Sequence, residues 1–385
     1  MNVCIITSSF PSRPDDVVQA PFLIDFIKGL RKRGHQVFVF TQNRQGTKEE
    51  FLAGVRVKWF PWIKAKKPLV QLSPFSPVDH LRILSLFLNG RKELVGFIKE
   101  NRIDACLALW VLPAGYFAYH AFRRTKVPYS VWSLGSDIYR YGRNPVLYPM
   151  MRRIIQEARA VFGDGFDLSK RIEERFGRDC FFLATTRSFE TMRPGRREKE
   201  AQIKKPDDPY RFLFVGRIEK VKGIDLLLQS MAYLKKEALS VHLTVVGRGG
   251  MEEWARGFLE AQGLEGYVLW MGNVPDETLA RLYESSDCVV IPSRSESIPL
   301  VFSEALRFNK DLIVTDVGDM GTLGRLYGAA WVIPPEDVLA LTKAMKKRVE
   351  LKENGKEESK EAKREELRRL FDIETSVDRF LADYT

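Results

Sequence analysis

Cysteine and histidine are scarce in this chain, with four of each among 385 residues. Cys4, Cys106, Cys180 and Cys288 lie far apart with no Cys-x-x-Cys spacing. That excludes a disulfide framework and a thiol redox motif, and it reads as reduced thiols in a cytoplasmic protein. His35, His80, His120 and His242 are equally scattered, so a clustered zinc site has no home and no metal is expected. No apolar run approaches the roughly 18 residues that a spanning helix needs. The chain opens on a strand-like segment, residues 2–7, without the features of a signal peptide. At 45% hydrophobic residues, disordered and collagen-like classes are also excluded.

What is present is length, charge and alternation. At roughly 100–200 residues per domain, the chain suits two domains better than one. The net charge of +11 is unevenly spread. Residues 1–190 hold 30 Lys and Arg against 17 Asp and Glu, whereas the remainder holds 31 against 33. A basic half points to an anionic partner; the alternative is drift in solvated surface charge.

Short apolar runs at 3–8, 36–40, 105–109, 129–132 and 160–163 alternate with amphipathic stretches at 22–33, 80–99, 112–124 and 149–157. After the polar stretch 193–210, an expected linker, strand-like and helical segments alternate again from residue 211. Such alternation predicts α/β architecture, two Rossmann-like doubly wound domains with parallel sheets covered on both faces. The expected boundaries are 1–192, the linker 193–210, 211–365, and a last helix at 366–385 free to pack back on the first domain. In such folds ligands bind outside the carboxyl ends of the strands.

Two motifs carry chemistry. Strand-like 212–215 ends in Gly216-Arg217, and the next helix begins at Lys222-Gly223. Two cations at a helix N-terminus, with free N–H groups and a favourable dipole, suit a diphosphate. The second motif follows the strand-like 288–291. Glu296 lies in a loop, Ser297 and Ile298 follow, Pro299 suits the first helical turn, and Glu304 lies about one and a half turns on. Two carboxylates around a helix start can grip hydroxyl groups flanking a phosphate held by N–H groups near Ile298, Leu300 and Val301.

Together these motifs resemble the retaining glycosyltransferases of family 4, which have the GT-B fold. Val246-Gly247-Arg248-Gly249, Gly272-Asn273-Val274, Ser286-Asp287 and Val317-Gly318 match as well, so the resemblance covers residues 211–335. It extends more weakly through Ser8-Ser9-Phe10-Pro11, the stretch from Arg33 to Val37, and Gly135-Ser136-Asp137-Ile138. The resemblance implies two domains facing a central cleft and a nucleotide-diphosphate sugar as donor, with no cofactor. It places Arg217 and Lys222 on the diphosphate, Glu304 on the ribose and Glu296 on the sugar hydroxyls, making Glu296, Arg217 and Lys222 the catalytic set. Gly216, Gly247, Arg248, Val274 and residues 297–301 would complete the donor side, with Phe10, Gly135, Ser136 and Asp137 on the acceptor side. The expected acceptor is a glycan or a lipid-linked glycan. A sugar-nucleotide epimerase or hydrolase of the same architecture, or a non-catalytic nucleotide-sugar-binding protein, are the rival readings.

The chain departs from the family pattern in three places. Leu134 stands where members commonly have His, the loop 15–22 has no glycine, and Ser297 replaces a usual Gly. Asp137 has two readings, a carboxylate offered to the acceptor or a helix cap. The stretch 56–67 interleaves five cations with three aromatics. It reads as a partly buried strand with solvated lysines, as a peripheral contact with anionic membrane at its inner face, or as a single-strand binder. No nucleic-acid module motif accompanies it, and nucleic acid is not an expected partner.

Overall fold

The structure is a computed structural model that describes residues 1–11, 21–43, 51–52, 54–63, 72, 76–189, 208–353 and 361–384. The expected linker up to residue 207, residues 15–20 of the glycine-free loop, and Lys64, Lys66 and Lys67 lie outside the described residues. The chain divides into two compact units, Met1–Thr185 with Ile373–Thr385, and Thr186–Asp372. Among the described residues no helix is long and apolar enough to cross a membrane.

The first unit is built on β1 (Asn2–Ile6), β2 (Gln36–Gln42), β3 (Phe51–Leu52), β4 (Val55–Phe60), β5 (Ala105–Leu109), β6 (Tyr129–Ser133), β7 (Val161–Gly163) and β8 (Phe181–Phe182). They run in the order β3-β4-β2-β1-β5-β6-β7-β8, parallel except for the β3–β4 pair. Every residue of β5 and β6 is buried, as expected for strands covered on both faces. Cys4 and Cys106 are register partners on β1 and β5, and all four cysteines are buried free thiols.

β4 settles part of the aromatic and basic stretch. Val55, Val57 and Phe60 turn into the core, while Arg56 pairs with Glu100 at 3.0 Å and Lys58 with Glu93 at 3.2 Å. Those two cations have partners within the chain and stay partly exposed, on a strand that is partly buried. The expected helix at 112–124 starts later. A wide turn, Val111–Gly115, precedes the helix Tyr116–Thr125.

The helix Ile373–Leu381 docks on the helix Pro21–Lys32 of the same unit. Gly29 makes the approach close, since a Cβ there would lie 2.7 Å from Val377 Cγ2. Arg33 donates to Asp378 at 2.6 Å and to Glu374 at 2.5 Å, and the Tyr384 hydroxyl lies 2.7 Å from that of Ser130. Phe380 is fully buried against Phe26 and Phe162, with ring centroids 5.8 and 6.4 Å away.

The second unit holds β9 (Tyr210–Val215), β10 (Val241–Val246), β11 (Val268–Gly272), β12 (Cys288–Ile291), β13 (Asp311–Thr315) and β14 (Trp331–Ile333). All are parallel, in the order β11-β10-β9-β12-β13-β14. The order reverses between β9 and β12, the place beside which ligands bind in doubly wound folds. Those two loops are the two sequence motifs.

Truncating Phe380 to alanine should cost about 3–5 kcal/mol of unfolding free energy. Denaturant titration checks this, and a loss below about 1 kcal/mol would show that the C-terminal helix is not docked in the core.

Candidate functional site

The two loops of the second unit meet backbone to backbone. Gly216 leaves β9 with its N–H on Val246 O at 3.0 Å, and the chain turns through Lys220–Lys222 into the helix Ile224–Lys236. Gly223 adopts φ +72°, and a Cβ there would lie 1.9 Å from the Pro292 carbonyl oxygen. No other residue fits that contact. Arg294 then ties the loops together. Its N–H bonds Val221 O at 2.8 Å, and its guanidinium grips both oxygens of Asp225 at 2.7 and 2.9 Å. It also contacts the Lys220 carbonyl and donates to Glu336 at 2.5 Å.

This clamp brings Lys222 onto Glu296, ammonium against carboxylate. The Ser293 hydroxyl donates to the same Glu296 oxygen at 3.4 Å. Behind Glu296, Gly318 packs so closely that a Cβ would lie 2.1 Å from the Glu296 carbonyl oxygen, at a φ of +53°. Burial pulls the Lys222 ammonium below the ordinary lysine range, to about 8, and the charge of Arg217 adds to this. The touching carboxylate works the other way and favours the charged form. Arg217 itself is exposed.

The helix Leu300–Arg307 begins four residues beyond Glu296, and its first amides have no partner within the helix. Pro299 sits at the capping position, one residue before the first turn expected for it. Ile298 is buried; Ser297, Leu300 and Val301 are half-buried. Glu304 is 3% exposed and already engaged. It accepts the Tyr283 hydroxyl at 2.6 Å and Arg187 Nη1 at 3.3 Å. Burial pushes the Glu304 carboxyl up, and the Arg187 guanidinium opposes the shift. Arg187 is held in turn by an ion pair with Asp276 and by the Phe189 ring, 4.7 Å from its guanidinium carbon.

The loop after β10 adjoins the first motif. Gly247 N–H bonds Gly272 O at 2.8 Å, and Arg248 O accepts from Ile218 N–H at 2.9 Å. Arg248 is exposed and Val274 is half-buried in the loop after β11. The structure thus joins Gly216, Lys222, Glu296 and Ser297 in one loop cluster with the exposed charge of Arg217. It places Glu304 in a separate buried network. Sequence reasoning missed Arg294, Asp225, Arg187 and Tyr283, because each acts through a partner distant in sequence.

Two family models match the chain. The Glycosyl transferase 4-like domain matches residues 20–178, and Glycosyl transferases group 1 matches residues 195–365. The chain belongs to the family 4-like glycosyltransferases.

Among relatives of this family, the uncharacterized glycosyltransferase MJ1607 of Methanocaldococcus jannaschii is 33% identical over 33% of this chain and 33% of its own length. The D-inositol 3-phosphate glycosyltransferase of Rhodococcus erythropolis is 29% identical over 45% of this chain and 42% of its own. The chain thus spans about a third to two-fifths of these curated relatives. Anabaena Alr3699/HepE, solved in complex with UDP and with UDP-glucose, aligns with 100% of this chain and 99% of its own. Its TM-scores are 0.72 and 0.71 at 16% identity, a likeness of GT-B fold.

Two of the four acceptor-side residues expected from the family landmarks, Phe10 and Asp137, have buried side chains. Phe10 is 1% exposed and offers no ring face to a ligand. Asp137 is turned inward at the start of the helix Ser136–Tyr141, where it accepts Val111 N–H at 2.6 Å and the Ser133 hydroxyl at 2.9 Å. Its carboxylate fastens the loop after β5 to the loop after β6, and among the described residues no side chain caps the helix Ser136–Tyr141. Gly135 adopts φ +87° before that helix, Ser136 is exposed, and Leu134 is half-buried.

Burial raises the Asp137 carboxyl above its ordinary range, although the Val111 and Ser133 bonds oppose this. The folded state therefore binds this proton more tightly than the unfolded chain does. Its contribution is complete below the ordinary carboxylate pKa and is lost as pH rises through the raised value. Relative to wild type, Asp137→Asn should gain stability as pH climbs from about 4 to about 8. Urea denaturation across that range checks this, and a pH-independent difference would contradict it.

Proposed function

We propose that this protein transfers a glycosyl group from a nucleoside diphosphate sugar to a glycan or lipid-linked acceptor. The observation that carries the reading is the Lys222–Glu296 pair at the topological switch point of the second unit. In the free site each group satisfies the other. A diphosphate would take over the Lys222 ammonium and release the Glu296 carboxylate to accept hydroxyls of the donor sugar. Lys222, Arg217 and the first amides of the helix Leu300–Arg307 would then stabilise charge gathering on the departing diphosphate.

Glu304 suits a ribose hydroxyl only on the lone pairs that Tyr283 and Arg187 leave unused. Its role would be that of a fixed, pre-oriented acceptor. The UDP and UDP-glucose bound by Alr3699/HepE support a uridine nucleotide as donor. Retention and independence from metal are inferred from the family resemblance. The cation excess of residues 1–190, 30 against 17, supports an anionic or membrane-borne acceptor at the inner membrane face.

Nucleotide release from a panel of UDP-, GDP- and ADP-sugars, with and without membrane extract, tests the reading. Acceptor-dependent release is expected. Acceptor-independent turnover would favour an epimerase or hydrolase, and tight binding without turnover a non-catalytic binder. Lys222→Ala should lower kcat/KM by about 10²-fold or more with an unchanged unfolding midpoint. Wild-type kcat/KM in that variant would overturn the donor-site assignment.

A further inference from the structure

The helix Pro77–Glu100 of the first unit faces solvent with the wrong chemistry for a surface helix. Its inner side is ordinary, with Leu86, Leu94, Phe97 and Ile98 buried. The outer side of such a helix is normally polar. Here Val78, Leu81, Leu84 and Leu88 stand 56, 58, 47 and 42% exposed. Steps of three, three and four residues keep them on one face. Ile63, 53% exposed, adjoins the stripe, since its N–H bonds the Ser85 hydroxyl at 3.1 Å. Further along the same face the pattern changes to exposed Lys92 and Lys99, and neither has an ion-pair partner among the described residues.

We propose that this face docks peripherally on an anionic lipid bilayer. The leucines would enter the boundary between headgroups and acyl chains, and the lysines would meet lipid phosphate. Charge selects this occupant. A second copy of the chain would bring another half with 30 cations against 17 anions to the same face, and the two would repel. A membrane with acidic headgroups supplies both the apolar layer and the opposite charge. Docking of this face is independent of what the second unit binds.

The test is cosedimentation of the full chain with vesicles of phosphatidylcholine, alone or mixed with phosphatidylglycerol. Binding to the mixed vesicles is expected, weakened by raised salt. The variant L81S/L84S/L88S should lower the partition coefficient about tenfold or more. These leucines are exposed, so the fold should persist, and an unchanged circular dichroism spectrum checks that. A second variant, K92Q/K99Q, should weaken binding to the anionic vesicles and flatten its salt dependence. Absence of wild-type binding to mixed vesicles, or wild-type binding by both variants, would overturn the proposal. So would a concentration-dependent dimer that the leucine variant abolishes.

Discussion

The guanidinium of Arg294 holds the site together. Its fork on Asp225 anchors it to the helix after β9, while its own backbone belongs to the loop after β12. A planar donor set is what a bidentate carboxylate contact requires, and lysine would not replace it. Both side chains are mostly buried, which makes the loss of either partner costly. With the loops fixed this way, Lys222 meets Glu296. The glycines at 223 and 318 permit the approach, because a side chain at either would collide with carbonyl oxygen.

A second buried network stands beside the first. Arg187, Tyr283 and Glu304 satisfy one another away from water, and Asp276 and Phe189 complete the seat of the guanidinium. Such a network fixes the direction of the carboxylate at the fifth position of the helix Leu300–Arg307. In the first unit Asp137 does comparable work without a cation, fastening Val111 to the loop after β6. Acidic residues in this chain therefore divide into those that meet a cation across the loop cluster, as Glu296 does, and those that tie loops down, as Asp137 does. Burial and partners distinguish them, whereas sequence position does not.

Much of the architecture was legible from periodicity alone. The strands at 105–109 and 288–291 are continuous apolar runs, and they occur as read because both faces of a parallel sheet are covered. The turn at Val111–Gly115 was not, since a local apolar pattern does not reveal where a helix begins. At the candidate site, the juxtaposed loops of Lys222 and Glu296 were legible because each sits at a strand-to-helix junction marked by Gly or Pro. Arg294 and Arg187 were hidden, because their partners lie 69 and 117 residues away. The burial of Asp137 and Phe10 was hidden for a related reason. A motif shows which residues lie near a site but not which way a side chain turns.

By the proposed function, the loops clamped by Arg294 form a nucleoside diphosphate site. Unfolding free energy measured as UDP, GDP and ADP are titrated into the wild type and Arg294→Ala tests it most directly. At least one nucleotide is expected to stabilise the wild type, by about 2.7 kcal/mol at 100 times its Kd. In Arg294→Ala the same gain should require a much higher concentration. Stabilisation by none of the three, or an equal Kd in the variant, would contradict it.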